Sequence, residues 1–426
     1  MKNKYKVLLL ILILLAAGGF AISASGIKIQ YFENYGTNFR RNVKILAEMA
    51  NLKLPERVDA FLSKTPEPLT TEEKLAIIDK MEQEQNDAAA TPTPDIGAKE
   101  EKIVKASSKI VALKNAYAYS YAPYKGGLLC ALDGALVMYG ENGEEKWKGE
   151  IQSSSSVLKT AGDYIMIAEK NGSKIYLFRG EKKIWEISSE NAIISADVSK
   201  NGDVVVISDK QNYKGTVTVY NKKGSVVYQW NSGKYEILDA DISSSTRTLA
   251  VSLLNTDSGA DSKILMFDMR KEDSSASVDL ADSIVFDIEF CGETLNAIAD
   301  NKIAGVSTDG EILWTSEFEQ KTLNRYAVES VGYKLCVFDN SNVSEIHIIS
   351  SRGAEKYSFE SRAFPDKAVI SDGYILYNDG RQLIFSGLSG KNQKKYNCTR
   401  DIYDIYILGS KSMAAIYNSG IEFINI

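Results

Sequence analysis

The chain has 426 residues, 44% of them apolar and 25% charged, a globular composition with enough apolar material for a large core. A net charge of −6 argues against a nucleic-acid-binding surface, which is normally basic. The single histidine, His347, would have to serve any Ser-His-Asp, Cys-His or histidine-zinc scheme, and it lies in the strand-like run Glu345-Ile346-His347-Ile348-Ile349, where it reads as structural.

In chain order, residues 1–6 carry Lys2, Lys4 and Lys6 and precede an apolar stretch over 7–24 whose only polar residue is Ser23. That length spans a bilayer as a helix, and the lysine excess keeps the start in the cytoplasm and exports the remainder. The expectation is an uncleaved signal-anchor helix and a single-pass protein of the cell membrane. A cleaved signal peptide is the competing reading, since Ala21, Ser23, Ala24 and Ser25 are small enough for a cleavage site. Residues 27–83 predict a short helical stalk. Phe39, Val43, Leu46, Ala47 and Ala50 fall at helical spacing opposite Arg40, Arg41, Lys44 and Glu48, and Thr70 with Glu73 forms a capping box for a second helix. The stalk is either a spacer or an amphipathic docking or dimerising element. Residues 84–105, with Thr-Pro-Thr-Pro at their centre, read as a flexible linker.

From residue 106 to 426 one phrase returns: an apolar run, a turn containing glycine, then a run closing on an aromatic. The copies are 139–147, 178–185, 220–230, 307–314, 349–357 and 386–396, with turn glycines Gly143, Gly180, Gly224, Gly310, Gly353 and Gly390. Each reads as a β-hairpin. The closing aromatics at 147, 185, 230, 314, 357 and 396 are spaced by 38, 45, 84, 43 and 39 residues, where 84 hides one degenerate copy. A four-stranded unit repeating about every 42 residues predicts an all-β fold, an eight-bladed β-propeller, with seven blades as the alternative. The last repeat, from Tyr403, has three strands, and a surplus strand at 109–113 precedes the first. Pairing the two would close the ring and remove its open edge. Cys130, Cys291, Cys336 and Cys398 sit in different repeats, too far apart in the pattern to bridge, and read as small apolar residues. The longest inter-strand loops are expected at 209–215 and 254–263, both joining the second and third strands of a blade, as a recognition edge on one face.

The phrases Asn142-Gly143-Glu144-Glu145-Lys146-Trp147 and Asp309-Gly310-Glu311-Ile312-Leu313-Trp314 resemble the tryptophan-docking repeat of quinoprotein-type eight-bladed propellers. The resemblance implies that Trp147, Trp185, Trp230 and Trp314 are blade-packing residues wedged between neighbours. The layout of basic start, apolar segment, linker and ring, with Asn115-Ala116-Tyr117 and Gly126-Gly127-Leu128-Leu129-Cys130 at the first blade, is similar to membrane-anchored Gram-positive propellers of unknown function. Quinoprotein dehydrogenases also need a vicinal cysteine pair and a calcium-binding acidic cluster; no two cysteines here are adjacent, so no cofactor is expected.

In a propeller the innermost strand lines the channel. Aligning Ser195-Ala196-Asp197, Asp239-Ala240-Asp241, Asp287-Ile288-Glu289 and Ala327-Val328-Glu329 puts a carboxylate at one point in four consecutive repeats. Strand side chains alternate, so Asp239 and Asp241 share a face, as do Asp287 and Glu289. The candidate binding site is therefore an acidic arc of Asp197, Asp239, Asp241, Asp287, Glu289 and Glu329, suited to a cation or a basic peptide; the competing reading makes them solvated carboxylates or partners of backbone NH groups. No catalytic residues and no metal ligands are assigned. The expected function is a non-enzymatic extracytoplasmic scaffold or sensor that binds a protein or cell-envelope partner. The alternative is an envelope polysaccharide hydrolase or lyase using the channel carboxylates.

Overall fold

The structure is a computed structural model that describes residues 106–426 apart from 133, 153–155, 256–260, 281, 320 and 341–342. The expected membrane segment, stalk and linker lie outside the described residues, as does the centre of the 254–263 loop.

Strands dominate because the chain alternates short apolar runs with glycine turns. They pair into eight antiparallel sheets of four strands each, which settles the blade count at eight. Blades 1 to 7 are consecutive in sequence, spanning 120–150, 156–188, 193–232, 236–280, 285–317, 325–361 and 368–397, with strands a to d in chain order from the channel outward. Blade 8 takes strands a to c from 404–425 and strand d from Ser107–Ala112, which pairs with Gly420–Asn425 from Ser107↔Asn425 to Ala112↔Gly420. The expected closure by the surplus strand is what the structure contains.

Burial follows position in the blade. Strands b and c are covered on both faces by neighbouring blades, so residues 164–168 and 175–178 of blade 2 are continuous apolar runs. Strand d, Lys182–Ser188, faces solvent on one side and alternates. Eight apolar clusters result, each shared between two neighbouring blades. That at the closing seam joins Leu128, Cys130 and Val137 of blade 1 to Ala414, Ile416 and Phe423 of blade 8.

The four tryptophans pack against these inter-blade clusters. Trp185 lies against Gly224 in the next blade's c–d turn, where an added Cβ would be 3.3 Å from the indole, and Trp230 meets Phe267 of blade 4 with ring centroids 5.2 Å apart. In blade 6 the expected aromatic, Tyr357, is instead 38% exposed. Phe359, two residues on, occupies the docking position, 2.6 Å from where a Cβ on Gly390 would be. At the closing seam, strand d has no aromatic, and Phe423 from strand c packs on Gly143 of blade 1.

All four cysteines are free thiols. His347, in strand c of blade 6, is held between Glu355, 2.7 Å from Nδ1, and Glu345, 3.3 Å from Nε2, consistent with a structural role. The 209–215 loop does join strands b and c, but the connections at 113–119, 269–275 and 318–324 are longer, and they are of the d–a and c–d kinds. Loop length is therefore spread over both faces of the ring.

Candidate functional site

Strands a of neighbouring blades touch one another and turn their free edge to the central channel. A strand with no partner on one side leaves alternate backbone NH groups without a ladder acceptor, and this shapes the site. Ile193–Val198, Glu236–Ile242 and Val285–Cys291, the strands a of blades 3, 4 and 5, each carry a β-bulge at the same place, between Ile193 and Ser195, Ile237 and Asp239, and Val285 and Asp287. A bulge re-aims the residues that follow it. Here these are Ser195 and Asp197, Asp239 and Asp241, and Asp287 and Glu289, so three of the four aligned segments keep their alignment in space.

The carboxylates divide by what they bond. Asp239 accepts from the NH of Ile288 at 2.9 Å, and Asp241 accepts from Phe290 at 2.6 Å and from Ile242 at 2.7 Å. Both therefore cap the free edge of blade 5 from blade 4. Asp197 accepts from the NH of Val198 at 2.6 Å, and Asp287 accepts from the phenol of Tyr326 in blade 6 at 2.8 Å. The Glu289 carboxylate accepts no hydrogen bond from any described residue, although its backbone carbonyl does.

Lys159, in strand a of blade 2, Ser156–Ala161, completes the cluster with its Nζ 3.5 Å from Asp197. It pairs with the third residue of strand b, as Glu289 and Asp241 do in their blades. Aligning blade 2 with the others would have found it, but an alignment built on carboxylates passes over a lysine. Lys159 and Asp197 keep 35% and 37% of their side chains open to solvent, although protein surrounds them on every side of the channel.

This crowding sets the protonation. Asp197 chiefly, then Asp287, Asp239 and Glu289, hold the Lys159 ammonium charged well above its ordinary range, against the opposing effect of burial. Burial, then the charge of Asp197, pushes Asp241 up to about 7, opposed by its two backbone hydrogen bonds and by Lys159. Burial, then Asp287 and Asp241, pushes Glu289 up to about 8, again opposed by Lys159. Five carboxylates thus share one lysine, and two of them hold protons near neutral pH.

Glu329 does not belong to the arc. Strand a of blade 6, Arg325–Val328, has no bulge and ends before Glu329, so Tyr326 takes the equivalent register position. Glu329 is buried in the a–b turn, where it accepts from the NH of Gly373 in blade 7 at 2.9 Å. Farther round the channel, Arg325 bonds Asp339 at 2.6 Å, and Asp404 of blade 8 accepts from Tyr406 at 2.6 Å. Among the described residues no three His, Cys, Asp or Glu side chains are arranged to hold a metal ion. The site can receive positive charge and hydrogen-bond donors.

Several solved structures share the ring. The C-terminal WD40 domain of Sif2 is 12% identical, with 76% of this chain and 99% of that one covered at a TM-score of 0.55. BamB from Moraxella catarrhalis is 15% identical, with 76% and 98% covered at 0.48. These likenesses concern the fold alone. No curated protein matches the chain. Residues 99–426 match the family described as "Family of unknown function (DUF5711)".

Proposed function

Since the chain belongs to DUF5711, a family of unknown function, we propose from its site that it is a non-enzymatic binding platform whose channel grips a positively charged segment of a partner protein. One observation carries this reading: Asp197, Asp239, Asp241, Asp287 and Glu289 converge around a single lysine, so the channel wall has unspent capacity for positive charge. Most of these carboxylates also fix the edges of strands a, which makes the receiving surface rigid before a ligand arrives. In this proposal residues 7–24 anchor the chain in the cell membrane and the ring stands outside the cell, as the lysines at positions 2, 4 and 6 suggest.

The test is photo-crosslinking in native membranes from a residue at the channel mouth, with Asp241→Asn/Asp287→Asn as the comparison. A basic partner captured by the wild type and lost from the double variant supports the platform; equal capture by both, or protease digestion that finds the ring on the cytoplasmic side, removes it. One observation favours the alternative of an envelope polysaccharide hydrolase or lyase. Glu289 stays protonated near neutral pH beside other carboxylates, as a general acid must. Release of soluble sugar from cell-wall material by the full chain, lost in Glu289→Gln, would decide for it.

A further inference from the structure

Within the channel, hydrogen-bond donors are distributed unevenly. The carboxylates of Asp197, Asp239, Asp241 and Asp287 each accept from a named donor, whereas that of Glu289 accepts from none of the described residues. Directly across the ladder from Glu289 is Asn296, and antiparallel partners put their side chains on one face of the sheet. Asn296 is 1% exposed. Its Nδ2 donates to the carbonyl of Glu289 at 3.2 Å, which fixes the amide orientation, because a carbonyl requires a donor. Its Oδ1 is thereby turned away, and it is buried with no hydrogen-bond partner. A buried acceptor without a donor is a standing cost to the fold, so such a group points to a donor that binds there.

We propose that Glu289 and Asn296 form a socket for a primary ammonium group, the side chain of a lysine presented by the partner. The proposal rests on the channel being a binding surface and names the chemistry of what enters it. An ammonium carries three N–H donors in a compact charge, enough to serve the Glu289 carboxylate and the Asn296 oxygen together. Lys159 shows that the same field already holds an ammonium within 3.5 Å of Asp197. The groups facing Glu289 are Asp287 and Cys291 on its own strand, Asp239 and Asp241 from blade 4, Asp197 from blade 3, Lys159 from blade 2, and Tyr326 and Lys334 from blade 6. Burial first, then Asp287 and Asp241, raise Glu289 to about 8, with Lys159 opposing. A proton and the ammonium therefore compete for the same oxygens, and binding strengthens as pH rises toward that value while a lysine side chain, at about 10.4, remains charged.

The experiment is calorimetric titration of the full-length chain with Nα-acetyl-lysine methylamide at pH 6.5 and 8.5. The comparison probes are its Nε-acetyl form, which has no charge, and its Nε-trimethyl form, which has charge but no N–H. Saturable binding of the lysine probe alone, about tenfold tighter at pH 8.5, is the expected result. Glu289→Gln abolishes the pH dependence, and Asn296→Leu weakens binding at both pH values. Failure of the lysine probe to bind wild type at either pH, or equal binding of the trimethyl probe, overturns the socket without reference to any variant's folding. If partner capture still depends on Asp241 and Asp287 in that case, the platform stands and the socket alone falls.

Discussion

Gly353, in the c–d turn of blade 6, lies so close beneath the indole of Trp314 from blade 5 that a Cβ at that position would penetrate the ring. Its backbone also has φ +79°, in the left-handed region that side chains disfavour. Gly353→Ala should destabilise the ring by about 2 kcal/mol or more, and Trp314→Ala by about 3 kcal/mol. In the Trp314→Ala background the glycine substitution should cost only about 1 kcal/mol, since the clash disappears and the backbone strain remains. Denaturant melts of the four proteins measure the coupling; additive effects would mean that the two residues do not touch.

Closure offers a second test that leaves the closing strand's own sequence unchanged. A Cβ on Gly420 would run into the carbonyl oxygen of Val111 in the closing strand. Gly420→Ala should therefore displace Ser107–Ala112 and destabilise by about 2 kcal/mol. Amide exchange should accelerate first over Gly420–Asn425, ahead of blades 3 to 5. Uniform acceleration round the ring would contradict this order.

The channel acids make stability depend on pH in a definite direction. Asp241 and Glu289 are raised in the folded ring to about 7 and about 8, so between those values and their ordinary ones the folded chain binds more protons than the unfolded chain. Stability contributed by these groups is present at low pH, falls as pH rises through that window, and is flat above it. Thermal melts of wild type and Asp241→Asn/Glu289→Gln between pH 5 and 9 should diverge in the variant's favour as pH increases. A constant difference would place both carboxyls in their ordinary range.

Lys334 behaves oppositely. It is fully buried, with Nζ 4.3 Å from the centre of the Trp314 ring and 3.3 Å from the carbonyl of Ser350. Burial lowers it to about 8 from an ordinary 10.5. The cost of charging it is complete below pH 8 and disappears as pH rises to 10.5. Lys334→Met, which keeps the stem and removes the charge, should stabilise by about 1 kcal/mol at pH 7. The gain, read from melting temperatures, should shrink toward zero by pH 10.5.

What the chain order reveals and what it conceals separate along physical lines. The hairpin repeat is legible because glycine and aromatic residues must recur wherever a tight turn meets a packed seam. The carboxylates of blades 3 to 5 align because all three strands bulge at one point, which keeps the same offset between residue number and position. Blade 6 lacks that bulge, and nothing local to Ala327-Val328-Glu329 announces the loss, so Glu329 is drawn into an arc it does not join. The exchange of Tyr357 for Phe359 is a matter of register along one strand face. Tyr357 sits beside the bulge as Tyr228 does in blade 3, and Phe359, two residues on, matches Trp230. The turn that precedes them does not choose between the two positions.

Because Asn425 pairs with Ser107, the chain enters the ring on the face that carries the a–b and c–d turns, running directly into its locking strand. A pull on the residues ahead of Ser107, directed away from that face, acts along the strand axis. The ladder is loaded in shear, and its six paired positions bear the force together instead of parting one by one. A load applied ahead of Ser107 is thus borne by those six positions at once, and the same strand sets the force at which the whole circle would open.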